Sequence, residues 1–306
     1  MAIHAVIDMG TNTFHLLIAE MSTPFRRIHA ESRITRMGEG FAVEKVLRPA
    51  AMERAMTVLH HFKTVLAQHS IDRLIVVGTS AIRESENRME FLQEVKRCCG
   101  FDVVVLSGEE EALCTFLGAN QVIQHQVGAL LVMDIGGGST ELIVAEGAIP
   151  KHLFSLPMGV VHFTERYLSR NGGIPTPASR AALEAAVDSA LSPILEELPH
   201  GCHFAGTAGT LTTLAAIDQH VSVYTAERVN GYTLSAAAVH RIYALLSLMT
   251  PAQRRDVPGL GPGREDIILA GCLILLRVME RVGCDRISVS DCGLREGVLI
   301  QNTSTQ

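Results

Sequence analysis

The sequence predicts an α/β protein made of two related halves, each a mixed sheet flanked by helices. Three observations carry this prediction. The chain has 306 residues, which exceeds the size of a typical single core. Short strand-like segments alternate with longer helix-like segments along it. In addition, one strand–loop–strand unit occurs twice, and the constant spacing of its two copies indicates a duplicated architecture.

The duplicated unit consists of two apolar strands joined by a glycine or Thr/Asn loop. Residues 6–20 (VIDMGTNTFHLLIAE) align without gaps with residues 132–146 (VMDIGGGSTELIVAE). The alignment pairs the polar and glycine positions Asp8 with Asp134, Gly10 with Gly136, and His15 with Glu141. Glycine lets a ligand approach the bare backbone, whose N–H groups can bind phosphate oxygens. A carboxylate beside such a loop implies a cation between acid and phosphate, so we expect Mg²⁺ or another hard divalent cation such as Mn²⁺.

The first half is predicted to have the element order β-β-β-α-β-α-β-α. After the duplicated strands, the expected elements are a strand at 26–34, a loop at 36–41, a helix at 49–69, a strand at 74–77, a helix at 86–99, a strand at 102–106 and a helix after Ser107. Pro49 suits the first turn of its helix, and Ser107 is a good N-cap followed by acids that favour a helix start.

The second half is predicted to repeat this logic. Its expected elements are strands at 129–133, 141–146 and 152–156, a loop at 170–177, a helix at 177–198 interrupted at Pro193, a strand at 202–205, a helix from Leu211, a helix at 235–249, a loop at 258–263, a buried helix at 266–281, a strand at 286–290 and a helix at 292–300. We expect domains at 1–122 and 123–306 with a hinge near 118–126, and a C-terminal helix, from about 293, that crosses back to the first domain.

Composition excludes several classes of function. The net charge of −6, the absence of Trp and an aromatic content of 5 % argue against a general nucleic-acid or anionic-membrane binder. Seven cysteines without a C-x-x-C pair indicate reduced thiols. No signal peptide is recognisable, and the longest apolar run, 267–276, is too short to span a bilayer. The sequence therefore predicts a cytoplasmic protein; its oligomeric state stays open, with a homodimer as one option.

The acids beside the two loops are the first candidates for chemistry. Asp8, Asp134 and Glu141 suit coordination of Mg²⁺, directly or through water. The alternative for a single copy is an aspartate that caps its own turn, but two copies in register favour a site. Residues 109–111 are three glutamates at a helix start, where acids also serve the helix dipole. One of them, placed in a cleft between the halves, can act as a general base, and the residues themselves do not decide which.

Four further residues and one glycine-containing segment leave alternatives open. His15 lies on an apolar strand, where a structural histidine is the more common explanation than a metal or phosphate contact. Arg83, Arg264 and Arg295 follow loops where arginines can face phosphate, although single arginines are mostly solvated. The segment GTAGT (206–210) lies between a strand and a helix, where it either binds an anion or packs closely.

Six ordered motifs resemble the signature blocks of the exopolyphosphatase/guanosine pentaphosphate phosphohydrolase (Ppx/GppA) family. They are DMGTNTFH (8–15), GTSAIRES (78–85), SGEEEA (107–112), DIGGGSTE (134–141), GTAGT (206–210) and SDCGLREGVL (290–299). The family belongs to the actin–sugar kinase–heat-shock-70 superfamily. The resemblance implies two ribonuclease-H-like (actin-like ATPase) domains with the active site in the cleft between them. It also implies Mg²⁺-dependent hydrolysis of the terminal phosphoanhydride of polyphosphate, or conversion of pppGpp to ppGpp.

The resemblance also implies roles for particular residues. Glu111 becomes the general base, Glu141 positions the water and the metal, and Asp8 and Asp134 organise the metal and phosphate loops. Arg83 is expected to bind substrate phosphates. The full set of expected substrate contacts is Thr11, Asn12, Thr13, Arg83, Gly136, Gly137, Gly138, Ser139, Thr140, Gly206 and Gly209.

The chain departs from the family pattern in two respects. DMGTNT replaces the more usual D-L-G-S-N-S, which keeps the asparagine and the hydroxyls. Longer family members add a C-terminal helical domain with no counterpart in these residues, so this short form is expected to grip long chains less tightly. Two other functions remain as alternatives: an ATP-dependent kinase of the same superfamily, and a non-catalytic sensor of polyphosphate or pppGpp.

Overall fold

The computed structural model describes residues 2–22, 25–124, 127–168 and 173–303. The predicted hinge at 118–126 and the predicted loop at 170–177 therefore lie partly outside the described residues. The seven cysteines are free thiols, as predicted. Within the described ranges, no helix is both long and apolar enough to cross a membrane.

In its described residues, the first half contains five strands and four helices. They are β1 (Ile3–Met9), β2 (Thr13–Glu20), β3 (Arg26–Ile34), α1 (Pro49–Leu66), β4 (Arg73–Gly78), α2 (Ser80–Glu84), α3 (Arg88–Cys99), β5 (Val103–Val105) and α4 (Gly108–Ile123). The predicted order holds, with the five-residue helix α2 added where GTSAIR had been expected to form a loop. Ser107 caps α4 through a capping box with Glu110, as the sequence indicated.

The second half contains more short elements than the sequence predicted. In order they are β6 (Ala129–Ile135), β7 (Thr140–Glu146), β8 (Ile149–Leu156), α5 (Val160–Phe163) continued by a π-helix (Thr164–Leu168), α6 (Pro177–Leu191) continued by a 3₁₀-helix (Ser192–Glu197), β9 (His203–Thr207), α7 (Ala208–Asp218), α8 (Ala226–Val229), β10 (Thr233–Ser235), α9 (Ala236–Ser247), α10 (Pro251–Arg254), α11 (Ile268–Val282), β11 (Arg286–Val289) and α12 (Leu294–Thr303). The break before Pro193 is confirmed, whereas α7 begins at Ala208 instead of the predicted Leu211.

Each half is built on one mixed sheet, which confirms the predicted fold class. The strand orders are β3–β2–β1–β4–β5 and β10–β11–β9–β6–β7–β8. In both sheets an antiparallel meander joins a parallel neighbour, β4 beside β1 and β9 beside β6. Asp8 and Asp134 lie at the carboxyl ends of β1 and β6, the edge of an α/β sheet at which ligands usually bind.

Two helices cross over between the halves. Helix α4 packs on the second sheet, where Ala112, Phe116 and Ala119 join the strands' buried side chains. Helix α12 packs on the first sheet through Val298 and Leu299. The domain boundary at 122/123 stays a prediction, but the packing shows that each sheet is covered in part by a helix from the other half of the chain.

The crossing of α4 and α12 depends on glycine. A Cβ atom built on Gly297 would overlap the carbonyl oxygen of Cys114, and one on Gly118 would overlap the carbonyl oxygen of Gly293. The two helix backbones are therefore in direct contact, closer than any side chain allows.

Further contacts join the halves at the rims of the cleft. Arg27 of β3 forms ion pairs with Asp291 (2.8 Å) and with the fully buried Glu296 (3.0 Å). On another rim, Glu165 accepts a hydrogen bond of 2.7 Å from the backbone N–H of Gly40. These contacts fix the two sheet edges relative to each other.

Replacing Gly297 by alanine is expected to lower the free energy of unfolding by about 1–3 kcal/mol, because the new methyl group forces α12 away from α4. Urea denaturation followed by circular dichroism measures this change. Gly261→Ala is the matched control, since a Cβ at Gly261 meets no heavy atom within 4 Å. Equal stability of Gly297→Ala and the wild type would contradict the backbone contact.

Candidate active site

The two loops of the duplicated unit have the same internal geometry. Asp8 pairs with His15 across β1 and β2, and Asp134 pairs with Glu141 across β6 and β7, so the strand register confirms the alignment made from the sequence. Each turn is closed by a glycine N–H, which donates to the carbonyl of the residue three positions on, at 3.2 Å in the first loop and 3.0 Å in the second.

The second loop lies directly against the first. A Cβ on Gly137 would lie 2.9 Å from Cβ of Thr11, and a Cβ on Gly138 would lie 2.8 Å from the Thr11 hydroxyl oxygen. Gly137 and Gly138 are therefore required by the approach of the two halves, whereas a Cβ on Gly136 would lie 3.0 Å from the Ser139 carbonyl oxygen of its own loop. Neighbouring segments hold both loops in place: Val161 N–H donates to the Gly137 carbonyl at 2.9 Å, and Gly38 N–H to the Thr11 carbonyl at 2.8 Å.

The backbone N–H groups of the second loop are available to a ligand. Among the described residues, the N–H groups of Gly137 and Gly138 have no hydrogen-bond partner. Adjacent backbone N–H groups of this kind form an anion-binding concavity.

A cavity of about 110 Å³ opens between the loops. It brings together most of the site residues predicted from the sequence: Asp8, Thr11, Asn12, Thr13, His15, Glu111, Asp134, Gly136, Gly137, Gly138, Ser139 and Gly209. The cavity is also lined by residues that were not predicted as site residues: Thr79, Ser80, Ala208 and Thr210. Arg264, considered only as one of several arginines, also lines it. Four predicted residues lie outside this lining: Arg83, Thr140, Glu141 and Gly206.

Four carboxyl groups crowd around this cavity. Burial, followed by the charge of Glu111, raises the pKa of Asp8 to about 8 and that of Asp134 to about 7. Burial and the charges of Glu111 and Asp134 raise the pKa of Glu141 well above its usual range. Burial also raises the pKa of Glu111 itself, although Arg83 opposes this effect. In the absence of a bound cation, these four carboxyl groups therefore keep their protons to a higher pH than exposed carboxyl groups do.

The acid cluster is chemically suited to a hard divalent cation. Asp8 Oδ1 is buried and has no hydrogen-bond partner, as expected of an oxygen left free for a ligand. Within the part of the chain that the structure describes, no three His, Cys, Asp or Glu side chains are grouped closely enough to hold one metal ion. A site of this kind suits Mg²⁺, which keeps several waters and takes one or two carboxylates.

Glu111 faces the cavity from the first turn of α4. Its carboxylate receives a hydrogen bond of 2.7 Å from Arg83 Nη1, and the same nitrogen donates to the carbonyl of Leu106 at 3.0 Å. The structure thus places Arg83 behind Glu111, where its guanidinium orients the carboxylate. The phosphate contact expected for Arg83 stays a prediction that this placement does not support.

Glu141 is buried behind Asp134, with 1 % of its surface exposed. Ser155 of β8 donates a hydrogen bond of 2.7 Å to its Oε1. Thr140 is likewise buried, and its hydroxyl donates to the Met158 carbonyl at 2.6 Å. The metal role of Glu141 and the substrate contact of Thr140 therefore remain predictions.

The GTAGT segment separates into a packing part and a cavity part. Gly206 is buried within β9, where a Cβ would press on the side chains of Leu211 and Ile287, so close packing explains this glycine. Gly209 lines the cavity, and the guanidinium of Arg264 occupies the space that a side chain at position 209 would fill. Gly206 and Gly209 are the two glycines of this segment that were predicted to contact substrate, and of these only Gly209 lines the cavity.

Arg264 is a functional candidate that the sequence pattern alone does not distinguish from other arginines. It lines the first cavity and an adjoining one of about 350 Å³, and among the described residues it has no carboxylate partner. Burial lowers the pKa of its guanidinium. Its position after the loop at 258–263 is the only signal in the sequence, and that signal does not reveal the contact with Gly209.

His15 lines both cavities. Burial, together with the charges of Arg295 and Arg264, holds the pKa of His15 well below its usual range, so the imidazole is neutral. The ring therefore lies in the wall of the cavities as a neutral group, and among the described residues it forms no ion pair with an acid.

Comparison with known proteins gives matches along almost the whole chain. Residues 17–306 match the Ppx/GppA phosphatase family. The chain is 31 % identical over 312 residues to exopolyphosphatase 2 of Mycobacterium tuberculosis, with 97 % of each protein covered. Among solved structures, it is similar to an exopolyphosphatase from Cytophaga hutchinsonii (TM-score 0.91, 28 % identity, 99 % and 98 % of the two chains covered). It is also similar to an Aquifex aeolicus member of the Ppx/GppA family (TM-score 0.82, 29 % identity, 99 % and 98 % covered).

The raised pKa of Asp8 predicts a pH-dependent stability in the absence of divalent cations. The folded protein keeps a proton on Asp8 up to about pH 8, whereas the unfolded chain loses it near the usual value of 3.8. The free energy of unfolding therefore falls as the pH rises through this window. Asp8→Asn removes the titration, so the variant is expected to gain stability relative to the wild type as the pH rises from 5 to 8.

Denaturation in EDTA at several pH values measures this difference. Asp102→Asn is the control, because Asp102 is exposed, pairs with Lys96 and lies outside the acid cluster. A difference between Asp8→Asn and the wild type that stays constant with pH would contradict the proposed burial of an ionisable Asp8.

Proposed function

The chain belongs to the Ppx/GppA phosphatase family, and from this membership we propose that it hydrolyses the terminal phosphoanhydride bond of inorganic polyphosphate, of pppGpp, or of both. The observation that carries the proposal is the position of Glu111, a buried carboxylate that faces a cavity between two duplicated loops. The mycobacterial relative named as an exopolyphosphatase supports the same class of substrate.

Glu111 is the proposed general base. A carboxylate whose pKa is raised by burial accepts a proton more readily near neutral pH than an exposed one does. In the proposed reaction the water attacks the terminal phosphorus, its proton passes to Glu111, and the shortened phosphate chain leaves. Arg83 keeps the carboxylate oriented through the 2.7 Å hydrogen bond.

The loops are the proposed phosphate contacts. The free N–H groups of Gly137 and Gly138 belong to residues that line the same cavity as Glu111, together with Thr11 and Ser139. Fixed donors of this kind stabilise negative charge that develops on the equatorial oxygens during phosphoryl transfer.

Asp8 and Asp134 are the proposed holders of a divalent cation, with Glu141 behind them. When bound, the cation supplies positive charge against the phosphate oxygens and the acid cluster. The unpartnered Asp8 Oδ1 supports this assignment.

The wild-type protein with Mg²⁺ is expected to release orthophosphate from polyphosphate, from pppGpp, or from both. Glu111→Gln is expected to lower kcat at least about 100-fold, the usual contribution of a general base. The measurement is phosphate release from polyphosphates of defined length and from pppGpp, side by side.

Glu109→Gln is the matched control for this substitution, because Glu109 is exposed on the same helical turn. Comparable activity of Glu111→Gln and the wild type would refute the assigned base. Binding of either substrate without turnover would refute hydrolysis and favour a sensor, and nucleotide-dependent phosphorylation of a sugar would favour a kinase.

Mg²⁺ is expected to raise the midpoint of thermal unfolding, since an ion that binds the folded state stabilises it by mass action. Asp8→Asn and Asp134→Asn are expected to reduce this increase and to weaken Mg²⁺ binding in calorimetry. Asp102→Asn again serves as the control. An equal increase in all four proteins would show that the ion binds elsewhere.

A further inference from the structure

The duplicated fold places a serine hydroxyl beside the equivalent side chain in each half. In the second half, Ser155 lies opposite Glu141 in the strand register and its Oγ is 2.7 Å from Oε1. In the first half, Ser32 of β3 lies opposite His15 and its Oγ is 2.7 Å from Nδ1. The same scaffold thus orients an acid in one half and an imidazole in the other.

We propose that His15 binds the phosphate groups of the substrate beyond the scissile bond through its Nε2–H, and that Ser32 is the residue that positions the imidazole for this contact. The inference rests on the proposed function, because it assigns a part of the same substrate to a part of the same cleft.

The first support is the position of the ring. His15 lines both cavities, whereas Glu141 at the equivalent position lines neither. Among the described residues, only Ser32 forms a hydrogen bond with the ring, through Nδ1, so Nε2 is left for a ligand.

The second support is the charge around the ring. Arg264 lines both cavities and Arg295 lines the larger one, and the charges of both act on His15. The larger cavity is also lined by Asp8, Asp134 and Asp291, and Arg295 lies 3.7 Å from Glu296. Arg264 has no carboxylate partner among the described residues, so its guanidinium and the His15 ring are the donors that a polyanion can engage.

The third support is the hydrogen bond of Ser32. The Ser32 hydroxyl can donate to Nδ1 or accept from it, and the tautomer of His15 decides which. In the proposed tautomer the Ser32 O–H donates to Nδ1, the ring proton lies on Nε2, and the imidazole becomes a donor towards the cleft. The opposite tautomer would present a lone pair to an anion and repel it.

These contacts give the substrate a direction. The terminal phosphate lies in the smaller cavity beside Glu111, and the phosphates that leave with the remaining chain extend past His15 into the larger cavity of about 350 Å³.

Steady-state kinetics with inorganic tripolyphosphate test the role of Ser32. Ser32→Ala is expected to raise KM about 3- to 10-fold with kcat within about twofold of the wild type, because the lost hydrogen bond weakens a binding contact. Ser32→Thr keeps the hydroxyl and is expected to restore KM. Ser247→Ala is the control, since its hydroxyl bonds only to the Ala244 carbonyl on the surface of α9.

Nitrogen-15 spectra of the histidine rings test the contact itself without turnover. In Glu111→Gln, addition of tripolyphosphate is expected to shift the Nε2 resonance of His15, and Ser32→Ala in the same background is expected to reduce the shift. If the wild type hydrolyses tripolyphosphate but KM of Ser32→Ala is unchanged or the His15 resonance does not move, the inference is overturned. If the resonance moves but no phosphate is released by the wild type, the proposed function fails and the contact stands.

Discussion

Mutual repulsion among four buried carboxyl groups is the constraint that the rest of the structure has to satisfy. Each acid except Asp8 receives a specific donor: Arg83 bonds to Glu111, Ser155 to Glu141, and the Thr115 hydroxyl to Asp134 at 3.4 Å. These bonds compensate the burial only in part, because the pKa values of the cluster stay raised. The unfavourable free energy that remains is offset by the apolar cores packed against the two sheets.

The two strand–loop–strand units share the same strand register, but their side chains differ. Both halves present an aspartate at the end of a central strand and a glycine-closed turn after it. The neighbouring strand then carries His15 in one half and Glu141 in the other. Asp8, Asp134 and Arg264 line both cavities, whereas Glu111 lines only the smaller one and Arg295 and Asp291 line only the larger one. A uniformly charged substrate can be held in one orientation because its two ends meet different side chains.

The sequence predicted those features that local chemistry determines. The alternation of strands and helices, the cap at Ser107 and the pairing of the two loops all follow from patterns within a short window. Arg264 illustrates what such patterns miss, because the glycine that accommodates it lies 55 positions earlier in the chain (264 − 209). The sequence likewise predicts a phosphate contact for Arg83, because nothing near Arg83 in the sequence indicates that Glu111 is its hydrogen-bond partner. Helix α5 is too short to show a periodicity, so it was not predicted.

The exchange of α4 and α12 between the sheets has a consequence for how the two halves fold. The face of the first sheet formed by Val6 and Leu17 is covered by Val298 and Leu299, which lie far away in the sequence. The first sheet therefore keeps an apolar face uncovered until α12 has packed on it. Because α12 contacts α4, which carries Glu111, the placement of Glu111 in the cleft depends on the same long-range contact. Contacts between residues so far apart in sequence are slow to form during folding, so we expect the cleft to assemble late.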